Sequence, residues 1–167
     1  MSDVNDLENK APEPGDRKGA AVKFPPPLIF LIAIIAGFGI DFIWPIELID
    51  SVLLLYLGMV LCLLALYAVI LLGLKFRREA TSIEPWKPTT KIMTTGFYAY
   101  SRNPIYVAFC LIVIGIGLSL NSFWLLISFV PAVVIVFYTA IVKEENYLEE
   151  KFGEEYKKYK DKVRRWL

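Results

Sequence analysis

Arg102 stands just before a long stretch without Asp, Glu, Lys or Arg that opens on Asn103 and Pro104, and Lys143, Glu144 and Glu145 stand just after it. That stretch, 103–142, is about twice the ~20 residues needed for one helical crossing of a hydrocarbon core. It reads as two spans joined by the Asn121-Ser122 turn, so the two polar clusters face each other across about 8–10 Å. A guanidinium, an amide and two carboxylates around one gap can hold a ligand that carries both charges. Pro104 suits the first turn of a helix, with Asn103 as its expected N-cap. The free N–H groups at that helix end favour an anionic group. Tyr98, Tyr100 and Tyr106 add aromatic walls, and the face of such a ring attracts a cation. Adjacent residues point in different directions on a helix, so Glu144 and Glu145 are not expected to serve one ligand atom together. Each cluster also has a plainer reading, as the terminus of a span or a polar collar around its exit.

The residues that are missing narrow the chemistry. The chain has no histidine, which removes His general bases and His-ligated metals. Cys62 and Cys110 lie inside apolar runs and read as small core residues, so no disulfide framework and no metal site is expected. The 56% hydrophobic and 21% charged composition excludes a soluble enzyme and a disordered chain. The net charge of +1 says nothing about partners by itself, and no nucleic-acid partner is expected.

The elements that must position these residues follow from the charge pattern. Spans are expected at about 28–44, 51–74, 104–120 and 123–142, the last kinked by Pro131. All 18 Lys and Arg residues fall in the N-terminal tail, in 75–103 or in 143–167. The positive-inside rule then makes both termini and the 75–103 loop cytoplasmic. The fold class is an all-α polytopic membrane protein of four transmembrane helices with a C-terminal amphipathic helix. Residues 1–23 are expected to form a disordered cytoplasmic tail, and 24–167 the membrane domain. Phe76, Trp86 and their basic neighbours are expected to lie on anionic headgroups. Leu148, Phe152, Tyr156, Tyr159, Val163 and Trp166 recur at helical spacing, on a helix that lies on the membrane or folds back as a lid, loosened at Gly153.

Thr95-Gly96-Phe97-Tyr98, Arg102-Asn103-Pro104-Ile105-Tyr106, Glu144-Glu145 and Phe152-Gly153-Glu154-Glu155-Tyr156 together resemble the isoprenylcysteine carboxyl methyltransferase family. Those are integral-membrane enzymes related to the phospholipid methyltransferases. The resemblance implies S-adenosylmethionine as cofactor, with contacts from Thr90, Lys91, Ile92, Met93, Tyr98, Asn103, Pro104, Ile105, Tyr106 and Glu144. On this reading Glu144 takes the ribose hydroxyls or the amino group, and Asn103 with free N–H groups takes the adenine edge or the carboxylate. Tyr98 and Tyr106 pack the adenine or face the sulfonium. Arg102 and Glu145 are the expected catalytic pair: Arg102 binds an anionic group, and Glu145 orients Arg102 or acts as a weak base. Asn103 stands where isoprenylcysteine methyltransferases usually have His. Ala140 stands where eukaryotic members place a substrate-binding Arg, so a prenylcysteine carboxylate would lack its cation. The acceptor is left as a lipophilic or small membrane-accessible molecule, whether carboxylate, lipid amine, thiol or phenol, and the oligomeric state is open. Two alternatives stand beside this: a membrane reductase of the sterol reductase type using a nicotinamide cofactor, and a noncatalytic scaffold. Gly115-x-Gly117 lies mid-span and reads as helix packing, not as a dinucleotide fingerprint.

Overall fold

The computed structural model describes residues 19–82 and 84–167. Among the described residues every named element is helical. Helix α1 (Pro26–Ile43) opens on a proline in its first turn, where the missing N–H has no partner to lose. Helix α2 (Val52–Arg78) is capped by Ser51, whose hydroxyl accepts from the Leu53 N–H at 3.3 Å. It ends on Lys75, Arg77 and Arg78, cations set against the negative end of the helix dipole. A 3-10 turn at Gly96–Ala99 leads to α3 (Pro104–Ser119). Asn121 then turns the chain with φ 51. A long rod follows, made of α4 (Phe123–Ile127), α5 (Phe129–Val136), a π turn (Phe137–Ile141) and α6 (Val142–Phe152). Helix α7 (Glu154–Lys162) completes the set.

Three helical segments are long and apolar enough to cross a membrane: Pro26–Ile43, Val52–Arg78 and Phe123–Phe152. Helix α3 is apolar as well, but its 16 residues rise only about 24 Å, against a core of ~30 Å. Only 22% of the most apolar window of α1 and 17% of that of α2 is buried inside the protein. Phe42, Ile43, Leu53 and Leu63 are among the large side chains left facing outward. A surface of that size and character is matched by hydrocarbon, not by water.

Close backbone approach holds the rods together. A Cβ on Gly58 would sit 2.4 Å from the Gly115 carbonyl oxygen, so α2 and α3 touch backbone to backbone. A Cβ on Gly117 would sit 2.5 Å from the Leu126 backbone, which seats α4 on the other side of α3. At the turn between α3 and α4, Asn121 Oδ1 accepts the N–H groups of Leu48 and Ile49. There too, Ser122 caps α4 through the Leu125 N–H and donates to Asp41 at 2.6 Å. The kink expected at Pro131 lies at Ser128, where α4 gives way to α5, because a proline ring crowds the carbonyl four residues earlier.

Three expectations change in detail. The tail was expected over 1–23; residues 1–18 lie outside the described residues, but 19–23 are docked. Ala20 and Val22 are buried, and the Ala20 N–H donates to the Pro85 carbonyl at 2.8 Å. Asn103 does not cap α3 with its side chain, although its carbonyl accepts the Val107 N–H. The 143–167 segment is not one helix: Gly153 takes φ 54 and splits α6 from α7, a backbone conformation that side chains disfavour.

Candidate functional site

The site lies where α3 begins and α6 follows the π turn. Pro104 starts α3, which places Tyr106 in its first turn, buried at 7% exposure. A π turn inserts one residue and swings all that follows by about 100°. On the far side of that turn Glu144 meets Tyr106, whose hydroxyl donates to Glu144 Oε1. The two corners of the expected hairpin therefore touch.

Glu145 points elsewhere, as its neighbouring position on the helix requires. It is 7% exposed, and Arg165 takes both its oxygens: Nε donates to Oε1 at 2.9 Å and Nη2 to Oε2 at 2.7 Å. Arg102 Nη1 stands 3.1 Å from the same Oε1, close enough for an ion pair but not aligned for a hydrogen bond. Arg102 Nε and Nη1 are buried with no hydrogen-bond partner. The Tyr156 ring, 2% exposed, lies beside this guanidinium.

Between these groups is a cavity of about 270 Å³. Of the sequence-predicted residues, Lys91, Ile92, Met93, Tyr98, Arg102, Asn103, Ile105, Tyr106 and Glu144 line it. Thr90, Pro104 and Glu145 are not among its walls. Thr90 is exposed and donates its N–H to Thr81 Oγ1 at 3.1 Å. Pro104 is buried at the helix start. Glu145 is behind Arg102, where Arg165 occupies it; it is not placed to act as a base in the cavity. The Lys91 ammonium pairs with Glu79. Asn103 spends its amide N–H on the Arg165 carbonyl at 3.0 Å.

Several walls were not singled out from the sequence as site residues. Phe76 was expected on headgroups, but it is 9% exposed and packs edge-on to Tyr98 at 5.9 Å between centroids. Trp86 and Pro85 cover the cavity from the 75–103 loop, while Pro26, Val69 and Phe109 give it an apolar side. Tyr156 and Tyr159 enter it from α7, and Tyr159 donates its hydroxyl to the Tyr98 carbonyl at 2.7 Å. The signal for these two was the periodic apolar face of the C-terminal segment. Burial, with the Glu144 charge second, raises the Tyr98 phenol far above its ordinary value. Burial also raises Tyr159, and pushes Tyr156 up to about 12 with the Glu145 charge adding to it. The cavity thus offers neutral phenols, the Glu144 carboxylate and the incompletely partnered Arg102 guanidinium to a ligand, while Glu84 and Lys87 on its rim pair with each other. Ala140, at the position of the family's substrate-binding Arg, is 0% exposed and packed in the core beside Ile141.

Residues 53–155, more than half of the chain, match the family model described as phospholipid methyltransferase. An uncharacterized protein of Haemophilus influenzae is 38% identical over 63 residues, covering 38% of this chain and 100% of that protein. The protein-S-isoprenylcysteine O-methyltransferase of Schizosaccharomyces pombe is 36% identical over 72 residues, 43% of this chain. This chain spans only 30% of that enzyme's length. No solved structure matches. The matched stretch contains the start of α3, the Tyr106–Glu144 contact and most of the cavity wall, and the chain belongs to the phospholipid methyltransferase family of membrane methyltransferases.

Proposed function

We propose that this chain transfers a methyl group from S-adenosylmethionine to a lipophilic or small membrane-accessible acceptor, at a site on the cytoplasmic side of a four-span bundle. The observation that carries the reading is the meeting of Tyr106, Glu144 and Arg102 at one cavity. At about 270 Å³ the cavity is near the lower end of the roughly 300–1,000 Å³ of small-molecule sites. Its donor set fits the cofactor: a carboxylate for hydroxyl or ammonium groups, a guanidinium for a carboxylate, aromatic rings for a base and a sulfonium. When bound, S-adenosylmethionine supplies an electrophilic methyl group, and the displacement asks the protein mainly for alignment. Tyr106 holds the Glu144 carboxylate in one orientation through its hydroxyl. Tyr98 and Tyr156 stay protonated at neutral pH and present ring faces, not charges. Trp86 and Pro85 on one side and α7 on the other shield the cavity from water, so the C-terminal segment serves as a lid. The apolar side formed by Pro26, Val69 and Phe109 is where a lipophilic acceptor would enter.

The topology belongs to the same proposal. Helix α3 is the fourth span; its short rise is offset by its backbone contact with the longer α2. The segregation of Lys and Arg makes both termini cytoplasmic. In a chain with Cys62 and Cys110 replaced, Ser82→Cys should react with a membrane-impermeant thiol reagent only from the cytoplasm. Asn121→Cys should react only from the other side, and the reverse pattern refutes the orientation.

Function is tested by calorimetric titration of the detergent-purified protein with S-adenosylhomocysteine, followed by incubation with labelled S-adenosylmethionine and total membrane extract. Binding and a labelled membrane product are expected. A protein that binds a nicotinamide dinucleotide and ignores S-adenosylhomocysteine overturns the proposal in favour of a reductase.

A further inference from the structure

The C-terminal five residues close the site from behind, and their contacts converge on one side chain. The Arg164 carbonyl accepts the Arg102 N–H at 2.9 Å. The Arg165 carbonyl accepts from Asn103 Nδ2 at 3.0 Å and from the Ser101 hydroxyl at 3.4 Å. These bonds fix the Arg165 backbone against the entrance to α3. Its guanidinium then lies over the Phe137 ring of the π turn, 5.1 Å from the centroid, and grips Glu145 with two aligned hydrogen bonds. Glu145 has two cationic neighbours within reach but gives its hydrogen bonds to Arg165. Arg102, on the cavity wall, has Nε and Nη1 buried without a hydrogen bond, Nη1 keeping only an unaligned ion pair with Glu145. Buried guanidinium N–H groups without hydrogen bonds are costly, and a further anionic group within reach of this guanidinium offsets that cost.

We infer that Arg165 is a positioning residue: by occupying Glu145 it keeps Arg102 available for an anionic group of the ligand in the cavity. The inference rests on the methyltransferase reading for the identity of that ligand. Without Arg165, the buried Glu145 carboxylate has Arg102 Nη1 3.1 Å away as its remaining cation. The pair would align, and the guanidinium would be lost to the ligand.

A rescue experiment separates this role from simple bracing. The probe is S-adenosylhomocysteine, titrated into the full-length protein in detergent. Arg165→Ala should weaken binding by at least about tenfold, because Arg102 is captured by Glu145. Adding Glu145→Gln to Arg165→Ala removes the captor, and binding should return to within about threefold of the parent protein. Bracing alone predicts the opposite, a double variant weaker than either single one, and that result overturns the inference. If Arg165→Ala does not fold, Arg165→Lys keeps a cation but not the two-pronged grip. It should then show a smaller loss, again recovered by Glu145→Gln, and absence of recovery overturns the inference. A parent protein that does not bind S-adenosylhomocysteine fails at the earlier step and refutes the cofactor assignment itself, a result distinct from failed rescue.

Discussion

Tyr106→Phe removes one oxygen and leaves the ring in place. The ring is buried in the core with Val136, Ala140 and Ile141, so packing is preserved and the change isolates one hydrogen bond. That bond runs to a carboxylate, and hydrogen bonds to charged groups contribute about 1.5–3 kcal/mol net. If the Glu144 orientation is what the ligand requires, the same energy appears in affinity. At about 1.4 kcal/mol per factor of ten, the expected loss is roughly 10- to 150-fold in S-adenosylhomocysteine binding. Glu144→Gln separates the two functions of the pair. A neutral acceptor keeps a bond of about 0.5–1.5 kcal/mol with Tyr106, so stability should fall less than in Tyr106→Phe. Affinity should fall as far or further, because the charge is gone. The assays are denaturant unfolding in detergent and calorimetric titration on both single variants and the double. The two changes should be coupled by at least about 1 kcal/mol. Additivity within about 0.5 kcal/mol, together with parent-like binding by Tyr106→Phe, would show that the contact plays no part in the site.

Other perturbations have signs fixed by the geometry. Ala140→Arg, which introduces the cation that the family resemblance implies for this position in eukaryotic members, puts a charge where the chain is 0% exposed. It should cost at least about 3 kcal/mol and reduce the folded yield without creating a carboxylate-binding site. Gly153→Ala meets no neighbouring atom, so its cost is the backbone conformation alone, about 1–3 kcal/mol, and it should loosen α7 and weaken ligand binding. Tyr98, Tyr156 and Tyr159 have raised pKa values in the folded protein, so their contribution to stability is complete below about pH 10, the unfolded value. It is lost as the pH rises toward the folded value of about 12 for Tyr156. Melting temperature should therefore drop between those limits, while tyrosinate absorbance at about pH 11 shows these three still protonated until the protein unfolds. Early ionisation of all the tyrosines with no loss of fold refutes the buried placement.

What the sequence could and could not reveal follows from the range of the forces involved. Uncharged runs and the placement of Lys and Arg report the solvent around each segment, so the helical rods were legible without any contact information. The meeting of the 102–106 and 144–145 segments was legible too, because the Asn121-Ser122 turn leaves a returning helix nowhere else to go. The choice of Glu144 over Glu145 for the ligand came from the family resemblance and not from the local pattern. It depends on the π turn at Phe137–Ile141, which shifts register without any proline or glycine to announce it. Asn103 shows the same limit. The local pattern assigned its side chain to the helix cap, but the Arg165 carbonyl, some sixty residues away in the chain, competes for it and wins. Trp86 and Ala20 came to the cavity by docking of irregular segments, and Phe76, near the end of α2, is covered by the Tyr98 ring; in each case exposure depends on what lands on top.

The division of labour inside the cavity carries a consequence for specificity. Its polar groups sit at the start of α3, on α6 and on the 75–103 loop, and apolar groups on α1, α2 and α3 form the other side. Ala140 is buried in the core, off the cavity wall, and leaves no room for a cation at its position. On the proposed reading, discrimination among lipophilic acceptors is expected to fall on the shape of the Pro26, Val69 and Phe109 side, because an apolar wall distinguishes molecules by volume, not by charge. Enlarging that wall with Phe109→Ala should change which labelled product dominates in a membrane extract. Tyr106→Phe should scale all products down together, and a change in product pattern from Tyr106→Phe instead would place acceptor recognition on the polar side.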